Sequence, residues 1–270
     1  MKRQFEDFDA SDLGQMLRPR PADGHKGTFG HALLVAGSRG MAGAAILSAE
    51  ACLRSGVGKL SIVTPGANRP LLQVAVPEAI VIDGAADGAY TGMGIGPGIG
   101  IDEDLVMHYI GRSEQTPCVI DADGLNALAS HPALQSLIRP GTILTPHPKE
   151  AERLFGGSDE EHVGAFVERH GVYVVLKGHP THVFMPDGEV VRLCVGNSGM
   201  GTAGSGDVLT GLLTGLLAQG YAPREAALLG VWLHGTAGDY AARELTEYCM
   251  LARDITRHLT EAFGKLKIES

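Results

Sequence analysis

Short apolar runs bounded by glycine or proline alternate with segments of helical periodicity along most of the chain. Ala32–Ala36, Lys59–Thr64, Cys118–Asp123, Thr142–His147 and Val172–Lys177 have the unbroken apolar or β-branched character of strands buried in a parallel sheet. Helical patterns fall between them, at Ala44–Leu53, Asp102–Ile110, Pro148–Phe155 and Glu160–Arg169. Thr181–Met185 and Glu189–Cys194, separated by Pro186-Asp-Gly188, predict a hairpin, so the sheet should carry an antiparallel edge. An apolar helix follows Asp207, and two more are expected at Pro223–Leu245 and Leu251–Phe263. The first 24 residues read as a short helix and an approach loop. The alternation predicts an α/β fold with a mostly parallel central sheet and helices on both faces. No repeat and no linker divides the chain, so one domain over residues 1–270 is expected.

Composition narrows the class. The 270 residues are 44% hydrophobic, enough for a full core. A net charge of −9 without a basic run argues against nucleic acid as a partner. No apolar run reaches membrane-spanning length, and Met1-Lys-Arg-Gln-Phe-Glu-Asp-Phe-Asp9 lacks the apolar core of a signal peptide. Cys52, Cys118, Cys194 and Cys249 lie far apart with no CxxC pair, which suggests buried thiols in a reducing cytoplasm rather than disulfides or a zinc site.

In open parallel sheets, ligands bind outside the carboxyl ends of the strands. Five stretches suited to a ligand fall at strand ends or helix starts: 37–44, 94–100, 121–123, 145–150 and 177–181. Gly37-Ser-Arg-Gly-Met-Ala-Gly43 matches neither a Walker loop nor a dinucleotide fingerprint, so a nucleotide turn and simple close packing both stay open. Pro97 argues against a Rossmann turn at Gly94–Gly100 and favours a loop that hugs a ligand. Of Asp121 and Asp123, one could help hold magnesium; for Asp123, capping the next helix is the alternative. His147 is placed to reach a ligand, and Lys177 to contact a nucleotide phosphate. Core packing accounts for Trp232 and His234.

The stretch Asn197-Ser-Gly-Met-Gly-Thr-Ala-Gly-Ser-Gly-Asp207 organises the rest. A helix that begins at such a loop points unpaired N–H groups and the positive end of its dipole at whatever lies in front, most naturally a phosphate. A carboxylate there would repel the phosphate, unless it faces a hydroxyl beside it as the base for phosphoryl transfer. A glycine-rich turn with Asp207 as an ordinary cap is the alternative.

Taken together, Thr28-Phe-Gly, Ala36-Gly-Ser, Ala42-Gly-Ala, Gly96-Pro-Gly, Asp121-Ala-Asp-Gly-Leu-Asn126, Thr145-Pro-His-Pro-Lys-Glu150, Leu176-Lys-Gly and Ala203-Gly-Ser-Gly-Asp-Val-Leu-Thr-Gly211 resemble the ADP-dependent NAD(P)H-hydrate dehydratases of the ribokinase-like superfamily. The likeness runs from about His25 to Phe263. Ala203 and Ser205 stand where that family often has Gly and Thr, and the epimerase domain fused to the module in many bacterial relatives is not expected here. The resemblance implies a ribokinase-like fold and dehydration of (S)-NADHX and (S)-NADPHX, with ADP as phosphoryl donor, ATP as the alternative, and Mg2+. It implies catalytic roles for Asp207, Gly204, Ser205 and Gly206. Contacts to the hydrated cofactor are implied for Ala44, Gly98, His147 and Asp207. Contacts to ADP or AMP are implied for Lys177, Gly178, His179, Pro180, Thr181 and Gly206. It also points to a homo-oligomer, specifically a homotetramer, and leaves the metal ligands unassigned. A small-molecule kinase of the same superfamily, acting on a hydroxymethylpyrimidine or hydroxyethylthiazole, shares Asp207 and its loop and stays open as a reading.

Overall fold

The computed structural model describes residues 5–7, 10–100, 102–112 and 116–269. Its strands are β1 (Phe5–Asp7), β2 (His31–Val35), β3 (Lys59–Val63), β4 (Ile80–Ile82), β5 (Gly92–Ile95), β6 (Cys118–Ile120), β7 (Ile143–Leu144), β8 (Tyr173–Leu176), β9 (Thr181–Phe184) and β10 (Val190–Leu193). Among the described residues they form one sheet in the order β1-β10-β9-β8-β7-β6-β5-β2-β3-β4. Every pairing is parallel except those of β9, which runs against both β8 and β10. The hairpin is therefore present, but β1 pairs outside β10 and takes the edge, where only a helix and a loop were expected.

The helices are α1 (Ala10–Met16), α2 (Ala42–Arg54), α3 (Arg69–Ala75), α4 (Glu103–Arg112), α5 (Ala122–Ser130), α6 (Pro132–Gln135), α7 (Pro148–Phe155), α8 (Glu160–His170), α9 (Ser205–Ala218), α10 (Pro223–Leu245), α11 (Ala252–Arg257) and α12 (Leu259–Glu269). The single helix expected over Leu251–Phe263 is thus two. The chain leaves helical angles at His258 (φ −88°, ψ 5°), whose Nδ1 lies 2.8 Å from the Asp254 carbonyl oxygen. Cys52 and Cys118 are buried free thiols, whereas Cys194 and Cys249 are exposed. The expectation of four buried thiols fails at those two because one follows the end of β10 and the other lies in the turn after α10.

Ala32, Leu33, Leu34 and Val35 are at most 2% exposed, as a strand covered on both faces requires. One face packs against α9, α10 and α12, and the other against the layer that contains α4, α5 and α8. Helix α9 carries no charge after Asp207 and is buried from Val208 to Ala218. It lies directly on α2. A Cβ at Gly211 would come within 1.9 Å of the Ser48 carbonyl oxygen, so only glycine allows the two backbones this close.

Candidate active site

Helix α9 starts without a side-chain cap. Gly204 occupies the N-cap in a left-handed conformation (φ 93°) and supplies no side chain to occupy the first-turn N–H groups. Asp207 sits in that first turn, half-buried, with no hydrogen-bond partner among the described residues. Burial, reinforced by Asp121 and then opposed by Lys177, raises its carboxyl to about 6. A carboxylate poised there can act as a general base near neutral pH.

The neighbouring cation is held in place. Lys177 Nζ donates to Asp121 Oδ1 at 2.8 Å and lies 3.8 Å from Glu150 Oε2. Thr210, buried on α9, donates to the other oxygen of Asp121 at 2.8 Å. Burial by itself would lower the Lys177 pKa; Asp121, Glu150 and Asp207 outweigh it, so the ammonium is held above its ordinary range. Asp121 occupies the N-cap position of α5 without capping it, and its two oxygens instead tie β8 to α9. Asp123 accepts from the Gly100 N–H at 2.8 Å and so fixes the 94–100 loop.

His147 caps α7: Nδ1 accepts from the N–H groups of Lys149 (3.1 Å) and Glu150 (3.3 Å), while Glu150 Oε2 accepts from the His147 N–H (2.8 Å). With Nδ1 used as an acceptor, the ring proton of the neutral form resides on Nε2.

A cavity of about 510 Å³ opens beside this cluster, bordered by Lys177, Gly178, His179, Thr181, Ser205, Gly206 and the 195–202 loop. His234 forms part of its wall. Its Nε2 lies 2.9 Å from the Ser205 carbonyl oxygen, and burial lowers the ring to about 4, so it stays neutral and fixes the first residue of α9. The loop is braced by Asp239, which accepts from Gly196 N–H and from Asn197 Nδ2, each at 3.0 Å. Ala44, in the first turn of α2, meets Gly98: a Cβ on Gly98 would come within 2.7 Å of the Ala44 Cβ.

The model of the NAD(P)H-hydrate dehydratase family matches residues 32–261. The chain belongs to the NAD(P)H-hydrate dehydratase family. An ADP-dependent (S)-NAD(P)H-hydrate dehydratase from Neisseria meningitidis is 41% identical, over 83% of this chain and 81% of its own. A Bacillus subtilis ADP/ATP-dependent NAD(P)H-hydrate dehydratase, co-crystallised with ATP and Mg2+, superposes with a TM-score of 0.86. It is 31% identical, over 96% of this chain and 98% of that one. A ribokinase-like superfamily protein from Enterococcus faecalis gives 0.85 at 28% identity, over 97% and 96% of the two chains. The fold is ribokinase-like. The chain spans about half the length, 52–53%, of the bifunctional NAD(P)H-hydrate repair enzymes it also matches.

Within this NAD(P)H-hydrate dehydratase fold, the residues singled out in sequence fall into three places. Lys177, Gly178, His179, Thr181, Ser205, Gly206 and His147 border the cavity, with Pro180 inside the same loop. Gly204 and Asp207 lie at the start of α9, and Ala44 and Gly98 pack against each other outside the cavity's lining. Sequence reasoning gave no role to Thr210 or Asp239 and assigned His234 to packing alone. A lone histidine in the uncharged stretch 226–238 of α10 was the available signal for His234. Nothing local marked Thr210, because its partner lies 89 residues away.

Proposed function

We propose that this protein dehydrates (S)-NADHX and (S)-NADPHX to NADH and NADPH at the expense of ADP, releasing AMP and phosphate. The observation that carries the reading is the unpartnered, half-buried Asp207 in the first turn of a helix that starts without a side-chain cap, next to Ser205 and Gly206, which border a nucleotide-sized cavity. Asp207 takes the proton from the C6 hydroxyl as that oxygen attacks the terminal phosphoryl group, and AMP departs. The N–H groups of Gly204, Ser205 and Gly206 hold the charge that gathers on the phosphoryl oxygens. The ring-nitrogen lone pair then expels phosphate, and loss of the C5 proton restores the double bond. Lys177–Thr181 hold the nucleotide. Ala44, Gly98 and His147 line the hydrated nicotinamide, with His147 offering Nε2–H.

Among the described residues no three His, Cys, Asp or Glu side chains converge as a metal cage. Both oxygens of Asp121 are already engaged. That donor set fits a magnesium ion carried mainly on phosphate oxygens and water, where it would neutralise phosphate charge. We read the chain as one ribokinase-like domain working as a cytoplasmic homo-oligomer, a homotetramer, with ATP as an alternative donor.

The test mixes purified protein, magnesium, ADP and chemically hydrated NADH. Reappearance of reduced-nicotinamide absorbance with AMP formation is expected, and an accumulating phosphorylated alcohol would instead indicate a kinase. Asp207→Asn should fold normally and lose about 100- to 10,000-fold in turnover; near-normal activity would remove Asp207 from the mechanism.

A further inference from the structure

A second cavity, of about 670 Å³, lies between the carboxyl end of α2 and the short helix α11. Arg54, Lys59, Arg253 and Arg257 border it, together with the acids Glu50 and Glu78. Arg257 is paired with Asp254 at 3.0 Å. The side chains of Arg54, Lys59 and Arg253 make no ion pair or hydrogen bond among the described residues, even with two acids in the same wall. Thr256 faces the same space. It is 4% exposed, and its buried hydroxyl has no partner.

Three unpaired cations gathered in one hollow repel each other, and that repulsion is relieved by an anion. They are gathered on a protein whose net charge is −9, so the cluster is a local feature of this hollow. Guanidinium groups match phosphate oxygens in geometry as well as charge. We propose that this cavity binds a small phosphorylated molecule through Arg54, Lys59 and Arg253, with Glu50 and Glu78 accepting from its hydroxyl groups. Lys59 opens β3, so the cavity lies at the amino ends of the strands, on the opposite rim from Asp207. Ala44 and Arg54 are ten residues apart on α2, about 15 Å along its axis. The two places are nevertheless linked. Helix α11 begins at Ala252, whose Cβ lies 3.2 Å from where a Cβ on Gly204 would stand. A ligand on Arg253 therefore holds the helix that backs the start of α9.

Hydrogen exchange on the full chain, with pyrophosphate and separately with AMP, tests the site. Pyrophosphate should protect residues 50–59 and 253–257, and Arg54→Ala or Arg253→Ala should each weaken that protection about tenfold. Protection of 50–59 by AMP as well would identify a nucleotide as the natural class; its absence would identify a phosphate compound without a nucleoside. Gly206→Val, at the other site, should leave the pyrophosphate effect intact. Both arginines are exposed, so the variants should melt with the wild type. Absence of protection at both segments at millimolar pyrophosphate, or protection confined to 177–206, overturns the proposal.

Discussion

Helices α7 and α9 begin at the same rim of the sheet and are built in opposite ways. At α7 the first turn is closed by its own side chains: the His147 ring accepts two N–H groups, Glu150 reaches back to the His147 N–H, and Pro148 removes a third donor. At α9 the N-cap is a glycine, the next residues are small, and no side chain occupies the first-turn donors. A closed start stabilises its own helix by about 1 kcal/mol. An open one forgoes that: the Ser205 N–H donates to the Thr202 carbonyl at 3.3 Å, and the remaining first-turn donors and the dipole stay available to an anion. The difference separates a residue that shapes the rim from the residues proposed above to do chemistry there.

The sharpest way to break this contrast is to spoil the open start. Gly204→Ala places a Cβ at φ 93° and 2.4 Å from Leu47 Cδ1. Shifting the donors should cost about 100- to 1,000-fold in kcat, with a loss of roughly 1–3 kcal/mol in stability. Steady-state rates and denaturant midpoints would show it, and a rate within twofold of wild type would mean that these donors are not used.

A pH series comes next. If Asp207 works as a base, kcat/KM should fall about tenfold per pH unit once the pH drops below about 6. Stability should move the other way. The native carboxyl binds its proton more tightly than the unfolded one, so between about 6 and its ordinary value of 3.8 the native state holds more protons. This group therefore destabilises the fold above pH 6, and the penalty fades as the pH falls through 6. Asp207→Asn should accordingly melt higher than wild type at pH 8 and lose that advantage near pH 4; equal melting at pH 8 would contradict it.

The smallest effect concerns the closed start. His147→Ala should lower stability by about 1 kcal/mol, and His147→Asn, which can still cap, should restore it. If His147 also touches the hydrated nicotinamide, KM for that substrate stays raised in the Asn variant. Recovery of both would leave it a cap alone.

Much of this arrangement was legible in the chain itself, for reasons that differ by element. Strands β2, β3, β6, β7 and β8 are apolar runs because helices cover both their faces, and that signal is local. Helix α7 matched its expected span because proline, a Glu three residues after His147, and a glycine stop mark its ends; α10 likewise starts at Pro223. Strands β1 and β4 were not legible. Each is three residues long and exists through pairing with a neighbouring strand, which no local pattern records. At the site, Lys177 was visible as a cation at a strand end. Its bridge to Asp121, and through it to Thr210, spans segments that only the fold brings together.

The reversed direction of β9 has a consequence for how the cavity is made. Two parallel strands joined in sequence require a crossover of a dozen or more residues, usually through a helix. Here the chain leaves the ligand-facing rim after β8, runs down β9, and climbs back on β10 to the same rim with only a tight turn at the bottom. Opposite walls of one chamber, the 177–181 turn and the 195–206 approach, thus come from a single uninterrupted out-and-back excursion. An insertion at Pro186–Gly188 would lengthen the far end of that excursion and leave the chamber's mouth unaltered.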